Sequence, residues 1–151
     1  MINILTQRSL KYSSRFLNRR IKDLGIRFEI DQYYFAYGAN LSIQQLTKNS
    51  LTAEFVDRAV LNNHHLDFNM PCEYIDQGYA GLTEAPGDCV HGALFQMDSI
   101  SLRILDILEW VPFSFYRRKQ VQVSTPTGES YSAWTYFPCH PKAGLKPSVK
   151  Y

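Results

Sequence analysis

The chain has 151 residues, of which 45% are hydrophobic and 20% are charged, so it has the size and composition of one globular domain. No apolar run approaches the ~18 residues that a membrane-spanning helix needs, and we expect no membrane partner. The three cysteines are an odd number and form no CxxC pair. This disfavours a disulfide-stabilised secreted protein and favours a reducing compartment, the cytoplasm.

Basic residues are concentrated at the N-terminus. Residues 1–22 contain six of the 16 Lys and Arg and no acid, so residues 23–151, with ten bases and 14 acids, carry a net charge of 10 − 14 = −4. This acidic body gives no electrostatic reason to expect a nucleic-acid partner. We interpret residues 1–32 as a basic extension and leave open a targeting peptide for an organelle, a short surface helix and a disordered segment.

The first predicted elements are a strand, a turn and a helix. Residues 32–38 (QYYFAYG) are rich in aromatic side chains and end in glycine, which is typical of a strand that enters a turn. Ser42 is followed three residues later by Gln45, the spacing of a capping box at a helix N-terminus. Runs of β-forming residues then predict three short strands, at 53–61, 66–70 and 79–82.

A turn, a strand and a second helix follow. The sequence EAPGD at 84–88 has turn chemistry, because proline presets φ and glycine admits positive φ. A strand is predicted at 90–97, and a helix over 100–110 that Asp98 or Ser99 would cap. Four apolar residues share one face of this helix, namely Ile100, Ile104, Leu105 and Leu108.

The last elements predict a hairpin and, with it, the fold class. Strands at 117–125 and 130–137 are joined by Pro126-Thr127-Gly128, a sequence typical of a tight turn. Many short strands combined with two or three helices predict an α+β domain with a small curved or closed sheet.

The segment from Tyr34 to Leu41 (YFAYGANL) is a first candidate site. A strand that runs through Gly38 into a helix start presents several backbone N–H groups in one concavity, which can bind a carboxylate or a developing oxyanion. Glycine also permits the turn and the close approach of a ligand. The alternative is an ordinary turn between a buried strand and a helix.

Glu109, near the C-terminal end of the second helix, is the other candidate. A carboxylate there meets the negative end of the helix dipole. If Trp110, Phe113 and Phe115 shield it from water, its pKa rises toward the range that suits a general base. The alternative is a solvated glutamate at a helix end.

Other catalytic and metal-binding patterns are not found in the sequence. No GxSxG, P-loop or GxGxxG motif occurs, and no histidine lies where it would activate Cys72 or Cys89. The remaining metal-ligand types do not have the spacing of a structural zinc site, and we expect no metal. These residues are His64, His65, His91, Cys139 and His140.

Five segments in register resemble the γ-glutamylcyclotransferase family. They are YFAYGANL from Tyr34, GYAGLTEAPGDCVHGALF from Gly78, LDILE from Leu105 followed by Val111-Pro112, Tyr116 and Arg118, SAWTY from Ser132, and LKPSVKY from Leu145. The resemblance covers residues 33–151 and implies a small mixed β-barrel flanked by helices. It implies a reaction in which a γ-glutamyl amide cyclises to 5-oxoproline and releases its amine.

The resemblance also implies the site. Glu109 matches the catalytic acid and base, and Tyr151 matches a tyrosine that lines the site. The small-molecule γ-glutamyl substrate is expected to bind without a cofactor, and a homodimer is compatible with the sequence. The substrate loop is formed by Tyr34, Phe35, Ala36, Tyr37, Gly38, Ala39, Asn40 and Leu41.

Three departures from the family pattern bear on activity. Ala39 replaces the commoner serine, Trp110 replaces the usual glycine, and the sequence ends at Tyr151 where the family usually continues into a final helix. We expect the domain to lack that helix, which would expose apolar surface. The alternative function is therefore a catalytically inactive ligand-binding or interaction domain with the same fold.

Overall fold

A sheet that closes on itself forms the frame of the protein. The structure, a computed structural model, describes residues 30–49 and 51–148, so residues 1–29 of the predicted extension (1–32) and Tyr151 lie outside the described residues. The elements are β1 (Ile30–Ala36), α1 (Ile43–Lys48), β2 (Ala53–Pro71), β3 (Gln77–Asp98), α2 (Ser99–Leu108), β4 (Tyr116–Ser124), β5 (Ser130–Pro138) and β6 (Lys146–Pro147).

The strand order is β1-β5-β4-β2-β3-β6, and β1 also pairs with β3. This additional pairing closes the first five strands into a barrel, while β6 pairs in parallel with the start of β3. β1 and β5 are parallel, with Tyr34 opposite Trp134, whereas β1 and β3 are antiparallel. The prediction of an α+β fold with a small mixed barrel flanked by helices is confirmed.

The prediction of short separate strands between 53 and 97 is wrong. β2 and β3 are each continuous over about 20 residues and form one long antiparallel hairpin. The predicted turn at 84–88 is a bulge within β3. Asn62 pairs with Cys89 and His64 pairs with Glu84, so residues 85–88 lie opposite Asn63 alone. Gly87 has φ 91° there and donates its N–H to Asn63 Oδ1 at 3.1 Å. The chain turns outward but returns to the same partner strand.

The two helices differ in how well their caps were predicted. Asp98 caps α2 as expected, and its Oδ1 accepts from the N–H of Ser101. Ser42 is the N-terminal cap residue of α1, but its side chain makes no capping hydrogen bond. Its carbonyl oxygen instead accepts from the N–H of Gln45 at 3.0 Å. The capping box is therefore wrong in detail, although the helix begins at the predicted place.

Two apolar clusters fill the protein. One packs both helices on the sheet and includes Tyr34, Leu46 and Leu105. The other contains only strand residues, among them Phe35 and Phe137. Alternate residues of β1 enter different clusters because successive side chains of a strand point to opposite faces. Within the described residues, no helix is both long enough and apolar enough to cross a membrane.

Gly92 allows β1 and β3 to lie close together. A Cβ atom at this position would meet the carbonyl oxygen of Ala36 and would lie 2.6 Å from two ring atoms of Phe35. We therefore expect Gly92→Ala to lower the free energy of unfolding by about 2 kcal/mol or more, because the obstacle includes backbone. Urea unfolding of the purified protein measures this change.

Gly128→Ala is the matched control. Gly128 has φ 88°, but its Cβ would meet nothing within 4 Å, so only the left-handed backbone is affected and the loss is about 1 kcal/mol. A loss at Gly92 no larger than the loss at Gly128 would contradict the close approach of the two strands.

Candidate active site

A hydrogen bond joins the end of β1 to the end of α2. After β1 the chain passes through Tyr37 and Gly38 into a short 3-10 helix, Ala39–Leu41, and α2 ends just before Glu109. Asn40 Nδ2 donates to Glu109 Oε1 at 2.9 Å and lies 3.2 Å from the hydroxyl of Tyr34. The two segments that the sequence singled out, 69 residues apart, therefore meet.

The two segments share a cavity of about 870 Å³. Its lining comes from the turn after β1, the end of α2 with the residues that follow it, and the connection between β2 and β3. Glu109 lines the cavity and is half-buried. This volume lies within the range of roughly 300–1,000 Å³ found for small-molecule pockets.

Five residues of the predicted substrate loop line the cavity, while Leu41 is exposed and lies outside its lining. Phe35 and Ala36 are completely buried in the two apolar clusters. Tyr37 is fixed by a 2.7 Å hydrogen bond from its hydroxyl to the carbonyl oxygen of Tyr136. The five residues that line the cavity are Tyr34, Tyr37, Gly38, Ala39 and Asn40.

A buried network lies behind the candidate acid. The hydroxyl of Tyr136 donates to Asp106 Oδ1 at 2.8 Å, and Arg118 Nη1 forms an ion pair with Asp106 Oδ2 at 3.1 Å, without the alignment of a hydrogen bond. The Arg118 guanidinium also lies 4.8 Å from the centre of the Trp134 ring. Asp106 precedes Glu109 by one turn of helix, so this network holds the last turn of α2 against the sheet.

Burial sets the ionisation of this network. It raises the pKa of the Tyr136 phenol, and the Asp106 charge raises it further, so Tyr136 stays protonated and donates. Burial also raises the pKa of Asp106, whereas the hydrogen bond from Tyr136 and the charge of Arg118 lower it. Sequence analysis missed Tyr136 and Asp106 as site residues, although both lie in the motifs SAWTY and LDILE.

The connection between β2 and β3 supplies a second carboxylate to the cavity. Tyr79 donates its hydroxyl to Glu73 Oε2 at 2.8 Å, and both residues line the cavity. Burial and this hydrogen bond raise the pKa of Tyr79. Sequence analysis missed both as site residues: Glu73 lies outside the five family segments, whereas Tyr79 lies in the segment that begins at Gly78.

The potential metal ligands do not form a metal site. Among residues 30–49 and 51–148, no group of three or more His, Cys, Asp or Glu side chains is arranged to hold a metal ion. The expectation that no histidine lies near Cys89 is wrong, since His91 Nε2 is 3.8 Å from its sulfur. Both residues are exposed on β3 and lie outside the cavity lining.

Comparisons with known proteins identify the family of this chain. The family model for gamma-glutamyl cyclotransferase, AIG2-like, matches residues 34–151. This chain belongs to that family.

Named relatives are found in mammals. The gamma-glutamylcyclotransferase of Bos taurus is 35% identical over 107 residues, which cover 68% of this chain and 57% of that protein. The gamma-glutamylcyclotransferase of Homo sapiens is 31% identical over 123 residues, which cover 79% and 65%. The chain thus spans less than two thirds of the length of either protein.

A solved structure shares the fold. A structure described as gamma-glutamyl cyclotransferase superposes with a TM-score of 0.70 at 28% identity, covering 80% of this chain and 73% of that one. This chain therefore shares its fold with a gamma-glutamyl cyclotransferase structure.

Trp110 departs from the glycine that the family resemblance implies, and its backbone shows the consequence. The α2 helix ends at Leu108, and Glu109 is its C-terminal cap residue. Trp110 comes next and has φ 56° and ψ 33°, the left-handed conformation. Glycine is the residue that usually ends a helix in this conformation, because it has no Cβ. The Trp110 ring lies 5.2 Å from the ring of Phe113 and 5.9 Å from that of Phe115, measured between centres.

The left-handed backbone predicts an order of stability for two variants at this position. Trp110→Gly and Trp110→Ala both lose the indole ring, but only alanine keeps a Cβ in the left-handed conformation. We expect the glycine variant to be the more stable by about 1 kcal/mol in urea unfolding.

The same two substitutions at Arg103, an exposed position on α2, provide the control. At Arg103 the alanine variant should be more stable than the glycine variant by about 1 kcal/mol, because glycine is the poorer helix former. The same order at both positions would contradict the left-handed conformation of Trp110.

The ion pair of Arg118 predicts a pH dependence. Because the Arg118 charge lowers the pKa of Asp106, Arg118→Gln should raise that pKa further above the ordinary value of an aspartate. A carboxyl with a raised pKa in the folded state binds protons more tightly there, so its contribution to stability falls as the pH rises through that pKa. The stability deficit of the variant should therefore grow from about pH 4 to about pH 7, as measured by urea unfolding at each pH.

Arg117→Gln serves as the comparison, since Arg117 is the exposed neighbour of Arg118 on β4. Its deficit should be nearly constant over the same pH range. A constant deficit for Arg118→Gln as well would show that this guanidinium does not control the ionisation of Asp106.

Proposed function

We propose that this protein converts a γ-glutamyl amino acid or amine to 5-oxoproline and the free amine, with Glu109 as general acid and base. The observation that carries the proposal is the hydrogen bond between Asn40 and Glu109 at the edge of a cavity of substrate size. The names of its relatives, gamma-glutamylcyclotransferase, support the same reaction. The reaction would take place in the cytoplasm, a reducing compartment that suits three cysteines without CxxC spacing.

The reaction is intramolecular. The α-amine and the γ-carbonyl belong to the same substrate molecule, so the protein must mainly fold that molecule into a conformation in which the nitrogen attacks the carbonyl carbon. The half-enclosed cavity beside the substrate loop supplies walls for this purpose. No metal or organic cofactor is required by this chemistry.

Glu109 would move one proton in each direction. Its carboxylate takes a proton from the α-ammonium, the freed amine attacks the γ-carbonyl, and the same proton passes to the leaving nitrogen as the carbon–nitrogen bond breaks. The attacking nitrogen loses its second proton to solvent, and the released amine takes one up from solvent, so the products are the lactam N–H of 5-oxoproline and an ammonium. Asn40 holds Glu109 Oε1 at 2.9 Å, which fixes the orientation of the carboxylate during both transfers.

The turn after β1 would bind the anionic part of the substrate. The first N–H groups of the 3-10 helix Ala39–Leu41 have no acceptor within that helix, whereas the N–H of Leu41 donates to the carbonyl oxygen of Gly38 at 3.0 Å. We therefore assign the anion to the N–H groups of residues 38–40. Backbone donors tolerate Ala39 in place of serine. Tyr34 would line the substrate pocket from β1, and Tyr151 is retained in the proposal as a further lining residue.

The activity test removes the proposed proton carrier. Glu109→Gln keeps the size of the side chain and can still accept from Asn40, but it cannot take up a proton from an ammonium group. We expect the rate of 5-oxoproline release from γ-glutamyl-alanine to fall by about 100- to 10,000-fold, the usual contribution of a general acid or base. Chromatographic detection of 5-oxoproline measures the rate.

Glu84→Gln, at an exposed position of β3 outside the cavity lining, is the matched control and should keep full activity. Full activity in folded Glu109→Gln would exclude the assigned role. Thermal stabilisation of the unmodified protein by γ-glutamyl-alanine without any product would instead favour the alternative, an inactive ligand-binding domain.

A further inference from the structure

Three aromatic side chains follow Glu109 along the cavity, and we refer to Trp110, Phe113 and Phe115 as the aromatic wall. All three line the cavity, and the Trp110 ring contacts both of the others. Phe113 is 56% exposed, so the aromatic wall reaches the opening of the cavity. The proton-transfer scheme assigns none of these rings a task.

The backbone shows that the ring of Trp110 is kept at a conformational cost. A left-handed backbone costs a residue other than glycine roughly 1–2 kcal/mol, and residues held in this way cluster at ligand sites. Phe113 adds a second unfavourable feature, since a large apolar ring remains in contact with water. A ligand that covers the Phe113 ring would remove its contact with water.

The position of the aromatic wall identifies the part of the ligand. In the proposed reaction Glu109 must reach both the α-amine and the leaving nitrogen. The nitrogen of the leaving amine therefore lies next to the Glu109 carboxylate. The γ-glutamyl part extends from there to the turn at residues 38–40. The aromatic wall starts one residue after Glu109 and lines the same cavity, so we place the substituent of the leaving amine against it.

The cavity has room for a large substituent with Trp110 in place. Its volume of about 870 Å³ is near the upper end of the usual range of roughly 300–1,000 Å³ for sites that enclose drug-sized ligands. The indole therefore lines the space and does not fill it. A bulky leaving amine is compatible with this wall, and an apolar one gains contact area.

We propose that the aromatic wall is a subsite for an apolar or aromatic side chain on the leaving amine. This inference rests on the proposed function and specifies its substrate class: γ-glutamyl derivatives of large apolar amino acids, such as phenylalanine or leucine, in preference to alanine. Burial of several additional methylene equivalents against the rings should raise kcat/KM by about 10-fold or more.

The experiment compares kcat/KM for γ-glutamyl-phenylalanine with that for γ-glutamyl-alanine. The unmodified protein should prefer the phenylalanine derivative by about 10-fold or more, and Phe113→Ala and Trp110→Gly should each reduce that preference at least ~3-fold. Glycine at position 110 suits the left-handed backbone, so the second variant is expected to fold. A preference is a ratio, and a merely structural loss of active protein does not change it.

Phe55→Ala is the matched control. Phe55 is 57% exposed, close to the value of Phe113, and packs on Phe95 away from the cavity lining. This variant should keep the preference of the unmodified protein. γ-Glutamyl-lysine is included in the panel because aromatic rings also bind cations.

Each outcome decides the inference. Equal kcat/KM for phenylalanine and alanine derivatives, or a preference that survives both wall substitutions, would overturn it. A preference for the lysine derivative that Phe113→Ala abolishes would overturn the apolar assignment in favour of a cation site. If no donor yields 5-oxoproline, the proposed function fails. The thermal shifts caused by γ-glutamyl-phenylalanine and γ-glutamyl-alanine, in the unmodified protein and in the wall variants, then test the subsite.

Discussion

The hydrogen bond between Asn40 and Glu109 is the constraint on which the candidate site depends, and the barrel determines that it can form. β1 pairs with the end of β3, with Ala36 opposite Ala93 and Ile30 opposite Asp98. Asp98 is also the residue that caps α2, so α2 starts beside the beginning of β1. The eleven steps from Asp98 to Glu109 along the helix rise about 16 Å, and the six steps of β1 span about 20 Å. A helix that runs back along β1 therefore brings Glu109 to the end of that strand, where Asn40 lies.

The buried network explains why this helix end keeps its place. Tyr136 on β5 donates to Asp106 on the last turn of α2, and Arg118 on β4 approaches the same carboxylate from a neighbouring strand. The Tyr37 hydroxyl in turn donates to the main chain at Tyr136, so one residue of β5 contacts both halves of the site. Removal of either partner would leave the half-buried Asp106 carboxylate with less compensation for its charge. The orientation of Glu109 therefore depends on β1, β4, β5 and α2 together.

The predictions from sequence succeeded where the decisive contacts are local. The cap of α2 by Asp98, its apolar face and the hairpin at Pro126-Thr127-Gly128 depend on residues within a few positions of one another. They failed where distant pairing decides. The turn-forming residues of EAPGD suit a loop that ends a strand as well as a bulge within a continuous strand. Only the pairing of β3 with Asn63 and its neighbours on β2 distinguishes the two. The site positions of Glu73 and Tyr79 were missed for the same reason, since the long hairpin brings both residues to the cavity. The loop from Tyr34 and the acid at Glu109 were identified separately, but their contact could be expected only through the family resemblance.

Trp110 illustrates how the surroundings can impose a conformation that the residue itself disfavours. Its N–H donates to the carbonyl oxygen of Ile107 at 3.1 Å, and its own carbonyl oxygen accepts from Phe113 at 3.1 Å and from Phe115 at 3.3 Å. These three backbone bonds end α2 and begin the next turn whatever side chain is present, so the left-handed geometry belongs to the helix end. A tryptophan at this point adds strain without changing the path of the chain. The side chain adds an indole face to the cavity next to the acid, and Trp110→Gly, which suits the left-handed backbone, can therefore change the choice of substrate while the fold is kept.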